Sequence, residues 1–141
     1  MSAQLIQIAD GVVTAINAAT LSETVTAARS YVATKNREDS GTLTVDVMPV
    51  EMTKALQNRS ANFETYGIRV VIQKRTDSDT NVTLDALSIL VEEIADLLLK
   101  ARIVTPAVMC TSTEIISFAL ADIRERNEFA ASVTATYEQV R

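Results

Sequence analysis

The chain contains no histidine, a single cysteine, three glycines and two prolines, and each scarcity removes a kind of chemistry. Without histidine, a serine or cysteine nucleophile lacks its commonest general base, leaving only lysine or carboxylate bases for group transfer. With Cys110 as the sole cysteine, no internal disulfide can form, and no zinc site of ordinary Cys/His composition can be assembled. The glycines Gly11, Gly41 and Gly67 are too far apart to make a phosphate-cradling loop. Cations are also in the minority: 13 Lys and Arg stand against 18 Asp and Glu, for a formal charge of -5. That is the wrong sign for a protein whose main task is gripping nucleic-acid phosphates.

Long hydrophobic runs are missing as well. The opening "MSAQLIQIADGVVTAI" is interrupted by Gln4, Gln7 and Asp10, so no secretion signal is expected there. The most apolar neighbourhood, Leu84 to Leu99, carries Asp85, Glu92, Glu93 and Asp96, each expensive at the centre of a bilayer, so no membrane partner is expected. Without a secretion signal, the glycosylation matches at Asn58–Ser60 and Asn81–Thr83 carry no weight.

What is present is an ordinary folded composition, with 48% apolar and 22% charged residues. Residues 1–141 read as one domain, since a chain of this length buries a real core but does not split comfortably. Leu5, Ile8, Val12 and Ile16 recur at spacings of three and four, an amphipathic helix for which Ser2 is a plausible cap. From Leu21 the period changes to two, with Val25, Ala27 and Tyr31 on one side of a first strand. "TKNREDSG", Thr34 to Gly41, has the composition of a mobile connection. Leu43, Val45 and Val47 form a second strand that Pro49 is expected to close. "EMTKALQNRSA" shows no clear period.

The strongest strand pattern is "NFETYGIRVVIQKR", where Tyr66, Ile68, Val70 and Ile72 share a face. "TDSDTN" then caps a helix starting near Asn81 or Thr83, which carries Leu84, Leu87, Val91, Ile94 and Leu98 on one face. Ile89, Leu90, Leu97 and Leu99 widen that face beyond a single stripe, so the helix is expected to be covered on more than one side. After Pro106, "EIISFALADI" and "EFAASVTATYEQV" are expected to pair as a terminal hairpin. The order α-β-β-β-α-β-β predicts an α+β fold, an antiparallel or mixed sheet of about five strands flanked by two helices.

Three constellations have residue types that could carry chemistry. Asp77, Asp79 and Asn81 alternate like the opening ligands of a calcium loop, but the sixth position is Val82 and the twelfth Ser88, so helix capping is preferred. Glu92 and Glu93 are adjacent on a helix and point apart, which reads as a solvated face rather than a carboxylate pair. Arg69, Lys74 and Arg75 form a basic cluster near the third strand, for which ion pairing or solvation outweighs phosphate contact. No cofactor, metal or catalytic residue is assigned, and the chain reads as a non-enzyme.

The tract "YGIRVVIQKRTDSDTNVTLDALSILVEEIADLLL", Tyr66 to Leu99, resembles the neck and tail terminator-like proteins of tailed bacteriophages. Val70, Val71, Gln73 and Lys74 stand in the strand part, and Asp85, Leu87, Leu90, Val91, Glu92, Glu93, Ile94 and Asp96 in the helix. The opening "IADGVVTAINAATLSETVTAARSYV" is similar to the start of such proteins. The resemblance implies a virion protein that forms a ring, usually a hexamer, assembled from host cytoplasm into the virion neck. That ring ends the tail tube and meets the head connector or stopper protein, and genomic DNA passes through its lumen without specific binding. On this reading Lys35, Asn36, Arg37, Glu38 and Asp39 in the polar connection, and Leu97 and Leu99 on the helix, are candidate partner contacts. A stopper or adaptor ring, a small enzyme using Asp, Glu or Lys, and a non-virion oligomeric binding module are the alternatives.

Overall fold

A computed structural model of the protein describes residues 3–22, 25–31, 44–75, 81–100, 108–116 and 128–140. Its elements are α1 (Gln4–Ala18), β1 (Ala27–Arg29), β2 (Thr44–Asn58), β3 (Ala61–Arg75), α2 (Asn81–Lys100), β4 (Met109–Ile116) and β5 (Glu128–Val140). The fold is α+β, in the order expected from the sequence, with one sheet ordered β1-β2-β3-β5-β4. Among the described residues, only the β1–β2 pairing is parallel. α1 packs against β1, β2 and β3, α2 packs against β4 and β5, and the two helices touch.

The core forms where helical and strand periods meet. Ile8, Ala9, Val12 and Ile16 of α1, and Leu87, Leu90, Val91, Ile94 and Leu98 of α2, are buried against Tyr66, Ile68, Val70 and Ile72 of β3 and Val133, Ala135 and Tyr137 of β5. β3 is the spine of the sheet, paired on one side with β2 and on the other with β5 along nearly its whole length. Its alternation was therefore the clearest in the sequence, since a central strand with one face on helices must keep its period.

Four expectations are corrected. The residue preceding α1 is Ala3, which makes no side-chain cap bond, while Ser2 lies outside the described residues. The first strand is only three residues long. Ala27 is buried, whereas Tyr31 is exposed and outside β1, so only one side chain has a core face to occupy. A side chain completes the pairing of β1: Asn17 Oδ1 accepts from the Ala27 N–H at 2.7 Å and Nδ2 donates to the Ala27 carbonyl at 3.2 Å. The Asn17 amide thus serves both backbone groups of Ala27, as a neighbouring strand would.

The third correction is at Pro49, which does not end β2. The register shifts between Pro49 and Glu51, leaving Val50 as an extra residue. A bulge at an edge is where a strand tolerates proline, because no ladder hydrogen bond is lost there. "EMTKALQN" therefore continues the strand to Asn58, whose Oδ1 accepts from the Ser60 N–H at 2.8 Å and the Ser60 hydroxyl at 3.0 Å to close the hairpin. The fourth concerns the start of β4, which begins at Met109 and not at Glu114; it takes in Glu114, Ile115 and Ile116 of the expected "EIISFALADI", whose residues 117–123 lie outside the described residues. A register shift between Cys110 and Ser112 breaks the alternation that would have marked its start.

Candidate functional site

Of the candidate partner contacts, Lys35, Asn36, Arg37, Glu38 and Asp39 lie outside the described residues. Leu97 and Leu99 are both on α2 but turn about 200° apart, at 3.6 residues per turn. Leu97 is half-buried and packs against the subunit's own core. Leu99 is 44% exposed and falls in the same stripe as Asp85, Ile89, Glu92 and Asp96, all exposed. Most of the apolar breadth of α2 is thus taken up inside the subunit, leaving Ile89 and Leu99 among three carboxylates.

The other sequence constellations also separate in three dimensions. Arg69 and Lys74 are an odd number of residues apart on β3, so they lie on opposite faces of the sheet. Glu92 is exposed as expected, but Glu93, one step round the helix, is half-buried. Its Oε2 accepts from the Ser22 N–H at 3.0 Å, tying the chain after α1 to α2. Asp77 and Asp79 are outside the described residues. Among the described residues, no group of three or more His, Cys, Asp or Glu is placed to hold a metal ion, and no helix is long and apolar enough to cross a membrane.

A buried polar cluster that composition did not reveal occupies the helix-bearing face where the sheet runs toward the β2–β3 turn. Glu64 is only 2% exposed. The Tyr66 hydroxyl donates to Glu64 Oε2, and Lys54 Nζ lies 3.9 Å from Oε1. Tyr66 is level with Tyr137, and Tyr137 with Cys110. Burial, and then the nearby Cys110, pushes the Tyr137 hydroxyl above its ordinary pKa. Burial likewise raises the Cys110 thiol, against weaker opposing hydrogen bonds with the backbone of Ser112 and Thr136. Both groups therefore stay protonated near neutrality, and a protonated buried thiol is a poor nucleophile. The signal for Glu64 was present in the alternation, since Glu64 shares its face with Tyr66 and Ile68, but a carboxylate there contradicts the usual rule for buried positions.

The surface left open is at the two sides of the sheet. Beyond Val47, the last residue of β2 paired with β1, no strand lies on the outer side of β2 among the described residues. Among the described residues, β4 likewise has a neighbour only on its β5 side. Among the described residues, five of the eight exposed large hydrophobic side chains sit on these two strands: Val50, Met52 and Leu56 on β2, Met109 and Ile115 on β4. Leu56 is 75% exposed and Met109 72%. Sequence reasoning missed them because register shifts, two in β2 and one in β4, break the period of both strands. Edges bearing apolar side chains are a chemical feature in themselves, since N–H and C=O groups on the outer side of an edge strand can pair with a further strand.

Comparison of the chain with known protein families and with curated proteins finds no match.

Proposed function

We propose that the protein is a structural subunit of a tailed-bacteriophage neck, assembling into a ring, a hexamer in the form the resemblance implies. The ring ends the tail tube and joins it to the head connector, with DNA passing through its lumen. The observation that carries this reading is the element order α-β-β-β-α-β-β, with both helices against one five-stranded sheet, in the chain whose Tyr66–Leu99 tract resembles terminator-like proteins. The open, apolar-bearing sheet edges add to it, because a protein that works by assembly needs surface that remains unsatisfied in one copy. The negative balance of charge suits a lumen that lets DNA slide rather than holds it.

The direct test is genetic. Removing the gene from a phage that carries it is expected to yield filled heads and separate, unjoined tails. Joined, infectious particles formed without the protein would overturn the reading.

A further inference from the structure

Among the described residues, the two open edges of the sheet match each other in direction and face. The stretch of β2 from Glu51 to Asn58, which follows its first register shift and contains its second, has the same number of residues as the described part of β4 (8 res). β2 runs antiparallel to β3, β3 to β5, and β5 to β4, so β2 and β4 point in opposite directions within one sheet. A second copy set beside the first in the same orientation therefore brings its β4 antiparallel to β2.

The faces agree as well. Met52 is level with Tyr66 and Ile115 with Val133, and both of those partners are buried on the helix-bearing face. Met52 and Ile115 thus emerge on the same side of the sheet, and both are exposed. Setting Met52 opposite Ile115 of the neighbouring copy places Thr53 beside Glu114 and Lys54 beside Thr113, with no like charges directly opposed.

We infer that the Glu51–Asn58 edge of one copy pairs with the β4 edge of the next, making one continuous sheet across the subunit boundary. The inference rests on the ring-forming reading above and names its contact. A second copy is the occupant because the two edges belong to one chain at opposite ends of one sheet: head-to-tail pairing fills both in every subunit, whereas a foreign strand fills one. The pairing is also staggered. Ile116 is level with Asp46 in its own sheet, through Ser132 and Val71, but would lie beside Glu51 of the neighbour. A step of this kind at each boundary tilts the strands, as closure of a sheet on itself requires. Head-to-tail contacts give rings when their rotation closes.

Disulfide trapping in the purified full-length protein tests the contact. Directly opposite residues of an antiparallel pair are close enough for a disulfide, and wild-type Cys110 is buried, so the wild-type chain is the background control. Mixing Met52→Cys with Ile115→Cys under mild oxidation is expected to give a mixed dimer, and the double variant a ladder ending at one closed size. Ile89→Cys with Leu99→Cys, two exposed α2 positions, should give no more than wild type. Absence of the Met52–Ile115 cross-link overturns the inference, whether the chain stays monomeric or forms oligomers trapped through other positions. In the latter case the ring reading survives its loss. A cross-linked ring from a chain that is not needed for joining heads to tails would uphold the pairing and discard the neck assignment.

Discussion

Three side chains carry most of the local information. Asn17 serves the backbone of a strand ten residues away, so Asn17→Ala leaves both backbone groups of Ala27 without that partner. Unfolding in denaturant should show a loss of about 1–3 kcal/mol, the cost of orphaned polar groups. The Tyr137 hydroxyl is buried with no hydrogen-bond partner among the described residues, so Tyr137→Phe should leave neutral-pH stability unchanged or raise it by up to about 1 kcal/mol. Its effect with pH is more specific. A hydroxyl whose folded pKa is raised contributes stability that is present below its unfolded value, and that stability is lost as pH climbs past it. Wild-type stability should therefore decline from about pH 9 through the Cys110 thiol (ordinary value 9.0) and further above 10 through Tyr137 (ordinary value 10.0). Tyr137→Phe should remove the second part of that decline and leave the first. Urea unfolding at about pH 7, 9.5 and 10.5, settings that bracket those two ordinary values, separates the two. An unchanged alkaline decline in the variant would show that Tyr137 does not drive it.

Among the elements, β3, β5 and α2 were legible in the sequence because each keeps one period over many residues while packed on a single core. β1, the far half of β2 and β4 were not. β1 has one core-facing residue, Ala27, which is too few to show a pattern. β2 and β4 each contain a register shift, which moves later side chains to the other face and cancels the alternation that a reader counts. Pro49 reads as a strand end because proline is barred from central strands, but beyond Val47, where its pairing with β1 stops, β2 runs along the edge and that bar does not apply. The candidate site suffered in the same way, since the exposed apolar residues of the edges lie on the stretches whose period is broken. Leu97 and Leu99 both widen the apolar surface of α2 in the sequence, and helical geometry alone sets them on opposite sides of it. Leu97→Asp should destabilise the subunit by about 1–3 kcal/mol through a charge at a core-packed position, and Leu99→Asp by less than about 0.5 kcal/mol. Thermal unfolding of the two variants checks this, and equal losses would place Leu99 in the core as well.

For the molecule as a whole, charge and assembly make separate predictions. With a formal charge of -5, the protein should bind duplex DNA weakly and lose that binding as salt rises toward the physiological range, because few counterions are released. Filter binding at low and physiological salt measures it, and tight binding that survives physiological salt would contradict a lumen through which DNA slides. The central claim is that the chain acts by forming a ring in the neck of a virion. Cryo-electron microscopy of intact particles, with the neck resolved and this chain fitted to its density, tests it most directly. A closed cyclic ring of this chain between head connector and tail tube is the predicted result; particles whose neck contains no copy of it would contradict the account.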